Sequence, residues 1–343
     1  MAAGKVSDHL GRRRVLAACM VGSGLLTGAC GFLRPSLLVP EVLVAACFSQ
    51  GAMKPIIAAS IMDLCPPEQR KEGFSLSYLG VNLGVAVGPM AAGFLFERHL
   101  AWTFFGNALA LAGALVLLVK MVPESRASFD ALPASERPVQ SGALKAFLER
   151  PLLVAFCIIN LFVYFAYAQT NFGLTLYTAE AFGPRGAAVF GMLMSCNACV
   201  VLATTTLFAR LTRRLSEPAA MGIGAVLYTV GFGMLAFPLG LHLLVLSTVI
   251  WTSGEVLLAI NTGAYLGNHT PGNLRGRFQS IREATTSGGR ILSPLVFGAI
   301  ITGAGVRASW LVTALVTLAC AAGFAGLHAR ENRTACEQPG CEG

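Results

Sequence analysis

The feature that most constrains this chain is a succession of apolar stretches, each near 20 residues long, at about 15–33, 37–62, 74–96, 102–119, 152–172, 189–208, 219–237, 243–266, 278–301 and 309–327. At ~1.5 Å per residue, about 20 residues cross the roughly 30 Å of bilayer hydrocarbon. Lipid offers the backbone no hydrogen-bond partner, so uninterrupted runs of this length are expected to be helices, not barrel strands. The composition agrees. Of 343 residues, 55% are hydrophobic and 12% charged, more apolar surface than one or two soluble domains can hide. The 38 glycines suit close helix packing in lipid.

The net charge of +8 does not point to nucleic acid, because the basic residues stand in short clusters between apolar runs. Segments 1–14, 63–73, 120–150, 209–216, 267–277 and 328–343 hold eighteen of the Lys and Arg residues, whereas the alternate loops hold only Arg34, Arg98, Arg185 and Arg307. The positive-inside rule then predicts a multi-pass protein of the cytoplasmic (inner) membrane with both termini cytoplasmic. The ten cysteines form no disulfide framework. Cys196 and Cys199 are a CxxC pair in the middle of an apolar run with no second pair or nearby His, so no metal and no cofactor is implied.

The polar segment 121–150 divides the chain into an N-terminal half, 1–120, and a C-terminal half, 151–328, followed by a tail, 329–343. An internal repeat supports the division. PEQRKEGFSLSYLGVNLGVAVGP (67–89) and PGNLRGRFQSIREATTSGGRILSP (271–294) share Pro, a basic cluster, Phe and a closing Gly-x-x-x-small-Pro pattern. In the second half two helices precede the first basic cluster, and their counterparts in the first half would lie before Met1. The chain therefore reads as ten helices of an expected twelve.

GKVSDHLGRRR resembles the loop between the second and third helices of the major facilitator superfamily. Gly4, Asp8, Gly11, Arg12 and Arg13 match its pattern, and His9 stands where that family usually has Arg. The resemblance implies an all-α fold of two pseudo-symmetric halves, comprising family helices 3–6 and 7–12, with these five residues as a cytoplasmic gating motif. GVAVGPMAAG is similar to a motif of proton-coupled drug antiporters, with Gly84, Gly88 and Pro89 as its helix-packing residues and with Ser75 and Ala92 as departures. GAMKP (51–55), EGFSLSYLGVNLG (72–84) and SGEVLLA (253–259) are similar to stretches of proton-dependent oligopeptide transporters.

An ionisable residue at a helix centre costs roughly 2.5–3.5 kcal/mol on insertion scales, so each one is a functional candidate. Glu255 and Lys54 lie at depths that differ by about 5 Å. In the family their helices face each other, which implies a proton-coupling pair in which Lys54 holds the Glu255 charge in one state and releases it in another. Arg290 is a candidate for an anionic group of the substrate. Asn160, Tyr164 and Tyr167 fall at i, i+4 and i+7 and form a substrate-facing stripe, with Asn261 a further candidate.

The expected function is secondary transport of a small molecule by alternating access, as proton-coupled export of drug-like compounds. The alternatives are proton-coupled uptake of a peptide-like substrate, or a truncated chain that transports nothing. The partners are a small-molecule substrate, protons and the lipid bilayer, with no nucleic acid and a monomeric state. No phosphate-binding G-x-x-x-x-G-K-[ST] segment and no Ser/His/Asp constellation occurs, so neither a nucleotide-driven pump nor an enzyme is expected.

Overall fold

A computed structural model describes residues 6–8, 10–33, 38–96, 100–124, 137–140 and 142–336, with backbone alone at 86, 89–96 and 334–336. Gly4 and the side chain of Pro89 lie outside the described residues. In chain order the helices are α1 (Arg12–Cys30), α2 (Leu38–Leu64), α3 (Arg70–Phe96), α4 (Leu100–Met121), α5 (Ala143–Leu148) and α6 (Pro151–Tyr167). They continue with α7 (Gly173–Phe182), α8 (Gly186–Leu211), α9 (Glu217–Met234), α10 (Leu241–Asn268) and α11 (Arg275–Cys336), and no strand occurs among the described residues. The apolar stretches read from the sequence fall largely on these helices, the last two both on α11. At 62 residues α11 would run to about 93 Å, some three hydrocarbon thicknesses. Gly305, at φ +85°, interrupts it between the two apolar stretches it carries.

Local chemistry sets several boundaries. Ser216 caps α9 by accepting the Ala219 amide at 3.4 Å, Pro218 stands in the first turn where no amide is needed, and Glu217 meets the positive end of the helix. Pro151 opens α6 in the same way. Hydroxyls buried in the spans return to their own helix, as Thr205 does to Val201 O and Thr313 to Ser309 O, and this satisfies a donor where lipid would not.

The chain divides into two compact units. The first comprises 1–70, 84–143 and 266–281, and the second comprises 71–83, 144–265 and 282–343. The sequence places the division of the chain at 121–150, and both units are discontinuous. Residues 71–83 cluster with the second unit, and 266–281 cluster with the first.

In the first unit α1 packs on α2 and α4 around Leu16, Met53, Ile56 and Leu118. In the second unit an aromatic chain runs through the core. Tyr167 stacks on Tyr228 at 6.3 Å, Tyr228 meets Phe232 at 4.8 Å, and Phe232 lies 5.8 Å from Trp251 and 5.6 Å from Trp310, so that one stack joins α6, α9, α10 and α11.

Helices α9 and α10 approach backbone to backbone at Gly224 and Gly254. A Cβ on Gly254 would come within 2.5 Å of the Gly224 carbonyl oxygen. Gly84 and Gly88, expected from the sequence to serve packing, have no described atom within 4 Å of such a Cβ. Gly254→Ala is therefore expected to cost about 1–3 kcal/mol and to lower the unfolding midpoint in detergent. Gly84→Ala and Gly88→Ala should leave it unchanged or raise it, since Ala favours a helix by up to ~1 kcal/mol.

Candidate functional site

Glu255 lies at the middle of the 28-residue α10, about 20 Å from either end. It is 8% exposed, and neutral donors hold both carboxylate oxygens. Oε1 accepts from the Tyr78 hydroxyl at 2.6 Å and from the Tyr167 hydroxyl at 2.9 Å. Oε2 accepts from Asn197 Nδ2 at 2.9 Å, and that amide also donates to Thr252 Oγ1 at 3.0 Å. Three donors on two oxygens suit an ionised carboxylate, which only accepts. The groups come from α3, α6, α8 and α10, and Tyr167 is braced from behind by the aromatic stack.

The other sequence candidates fall in different places. Arg290 in α11 sets its guanidinium 4.9 Å from the centre of the Tyr164 ring, a cation–π contact, and Tyr164 meets Tyr167 edge to face at 6.3 Å. Of the expected stripe on α6, Tyr167 thus stands on the carboxylate and Tyr164 packs against Tyr167. Asn160 is buried, and its Nδ2 has no hydrogen-bond partner among the described residues. Asn261 is fully buried and donates to Leu257 O of its own helix at 2.8 Å. Lys54 is exposed in the first unit and makes no ion pair or hydrogen bond with a described residue.

Two residues of the Glu255 site escaped the sequence reading. Asn197 is the only amide side chain of the apolar run 189–208 and lies inside the CxxC segment, a polar group whose mid-span position was the available signal. Tyr78 stands in EGFSLSYLGVNLG, where nothing in the spacing marks a hydroxyl that reaches Glu255.

The residues expected from the sequence to form a gating motif stand in a second cluster, within the first unit. Gly11 takes φ +100° at the start of α1, a conformation that strains any residue with a side chain, and a Cβ there would also have to displace the Glu124 carboxylate. The turn presents Arg12, 4% exposed, to two carboxylates: Nε donates to Asp63 Oδ2 at 2.9 Å and Nη1 to Asp8 Oδ1 at 2.5 Å. Asp63 also accepts from Arg275 Nη1 at 2.6 Å. Asp8 accepts the Gly276 amide, in the first turn of α11, at 3.2 Å and lies 3.6 Å from Arg277. Arg13 turns away, its amide donating to Glu124 and its guanidinium to Val122 O. Burial pushes the Asp8 carboxyl up from the ordinary aspartate range, and Arg12, the Gly276 amide and Arg277 pull it back only in part.

Helices of this length with a carboxylate inside a span define a multi-pass membrane protein. Its sequence matches the profile of the Major Facilitator Superfamily over residues 1–259 and again over 170–336. The chain belongs to that superfamily. It is 25% identical over 309 residues to the uncharacterized MFS-type transporter YhjO of Bacillus subtilis (strain 168), a match that covers 89% of this chain and 74% of YhjO. It is 27% identical over 333 residues to the multidrug resistance protein MdtG of Escherichia fergusonii, covering 92% of this chain and 77% of MdtG. The fold resembles that of the human organic anion transporter MFSD10, with a TM-score of 0.77 at 18% identity, over 94% of this chain and 79% of that one. The superfamily consists of secondary transporters of small molecules.

The ionic cluster yields a graded expectation. Asp63→Asn leaves two buried guanidinium groups without their shared carboxylate, a loss of about 3–5 kcal/mol. Asp8→Asn removes a charge that burial already disfavours, and so costs less. Thermal unfolding of the two variants in detergent should rank them in that order.

Proposed function

We propose that this chain is a proton-coupled transporter that exports drug-like compounds by alternating access of its two halves, with Glu255 as the proton site. The observation that carries this reading is a carboxylate in the middle of a span, bonded to two tyrosines and an asparagine and, among the described residues, to no cation. A residue that costs roughly 2.5–3.5 kcal/mol to insert is retained where it has a task, and a carboxylate held by neutral donors can take up and give back a proton without breaking an ion pair. The drug-like substrate is supported by the antiporter-like GVAVGPMAAG segment and by the likeness to MdtG. In the same reading Arg290 and Tyr164 form a wall that contacts substrate, and Asp8, Gly11, Arg12 and Arg13 belong to a gate on the cytoplasmic side of the inner membrane, where both termini lie and the protein works as a monomer.

A second reading, uptake of a peptide-like substrate with protons, is favoured by Lys54 in the GAMKP segment. It stands in α2 with no ion-pair partner among the described residues, a cation available to the carboxylate of a zwitterion. Here too Lys54 and Glu255 would act as the coupling pair in another state of the cycle.

Transport in proteoliposomes separates the two. Under export coupling, vesicles with an acidic interior accumulate ethidium as protons leave. Under uptake coupling, vesicles in acidic medium accumulate alanyl-alanine. Glu255→Gln is expected to lower gradient-driven accumulation about tenfold or more, with its unfolding midpoint showing that it is folded. Accumulation by the Gln variant equal to that of the parent chain would remove Glu255 from the mechanism.

A further inference from the structure

Tyr78 differs from the other groups that hold Glu255. Tyr167 and Asn197 both follow the 121–150 segment in the chain, as Glu255 does. Tyr78 precedes it, on α3, in the repeat segment 67–89, and residues 71–83 are the short piece of the first half that clusters with the second unit. It makes the shortest of the three hydrogen bonds, 2.6 Å to Oε1, and it is half-buried where Glu255 is buried. It reaches the site on the length of a phenol ring from a helix whose remaining spanning residues, 84–96, belong to the first unit. We propose that Tyr78 is the positioning residue that sets the charge of Glu255: its hydroxyl holds the carboxylate ionised while residues 71–83 pack within the second unit, and its departure lets Glu255 take a proton.

This rests on the reading of Glu255 as the proton site and adds the group that sets its charge. The alternatives around the carboxylate are few. Tyr167 from α6 donates to the same oxygen but is fixed by its stack on Tyr228, itself fully inside the α9–α10 core. Asn197 from α8 is shared with Thr252, one turn from Glu255 on the same helix, and travels with it. Tyr228 from α9 and Arg290 from α11 lie within electrostatic reach but make no hydrogen bond to it, and Tyr164 is engaged by Arg290. Among the described residues, Tyr78 is the one donor to the carboxylate that is held neither by a ring stack nor by a second side chain of α10.

The step balances without any further reactant. A hydronium ion gives its proton to Oε1 and leaves as water, and the Tyr78 hydroxyl keeps its own hydrogen and turns to another acceptor. Losing one of two donors on that oxygen weakens the hold on the ionised form and leaves a lone pair open to the proton.

The test is infrared spectroscopy of the full chain in lipid across a pH series, following the carbonyl stretch of a protonated carboxyl. Glu255→Gln identifies the band. Tyr78→Phe, which removes one oxygen and keeps the ring, is expected to show the Glu255 band at a pH where the parent shows none, and to lower gradient-driven ethidium or alanyl-alanine accumulation about tenfold or more. A Tyr78→Phe chain whose band follows that of the parent at every pH overturns the proposal, whatever its transport. If Glu255→Gln is inert while Tyr78→Phe matches the parent in both readouts, only Tyr78 loses its role. If Glu255→Gln accumulates substrate like the parent, the proton-site reading falls, and Tyr78 falls with it.

Discussion

The hold on the Glu255 carboxylate organises the second unit. A charge at the middle of an apolar helix is tolerated only if hydrogen bonds replace the water it has lost, and that need fixes where α3, α6 and α8 present their polar side chains. Tyr167 must stand with its hydroxyl toward α10, and the stack through Tyr228, Phe232, Trp251 and Trp310 keeps it there. Asn197 must point inward from a helix that is mostly apolar, and Thr252 takes up its second hydrogen-bond capacity. The aromatic core and the polar centre are thus one construction: large rings supply the stiffness, and their few heteroatoms supply the solvent.

The first unit solves a different problem with the opposite chemistry. At its centre are full ion pairs, Arg12 between Asp8 and Asp63 and Arg275 on Asp63, drawn from segments more than two hundred residues apart. Breaking such a network leaves a charge unpaired, so it holds one arrangement firmly, whereas a carboxylate held by phenols and an amide can change its protonation with no ion left behind. The two clusters divide the labour: one resists change and the other is built to allow it.

Much of this was legible in the sequence because lipid leaves so few solutions. The helices, the central carboxylate and the Asp8–Arg12 motif follow from hydropathy, from the cost of a charge in a span and from the resemblance at the chain's start. What the sequence could not supply was which side chains meet across helices. Lys54 and Glu255 are at similar depth, but depth does not give rotation about the helix axis, and the partners of Glu255 turned out to be uncharged. Tyr78 has no periodic signature, and Asp63, at the end of α2, reads as one more acid near a basic loop until Arg12 and Arg275 are seen on either side of it. Asn160 and Asn261 carry the right chemistry on faces that are shut.

The contact between Gly224 and Gly254 has a mechanical consequence. Packed helices slide past each other by small rotamer adjustments in the layer of side chains between them, and where backbone lies on backbone that compliant layer is missing. Helices α9 and α10 are consequently a single strut, with Glu255 one residue from the weld. Whatever displacement reaches one of the two helices is delivered undiminished to the carboxylate, so movement of the site is a matter of what comes and goes around this strut and not of the strut bending.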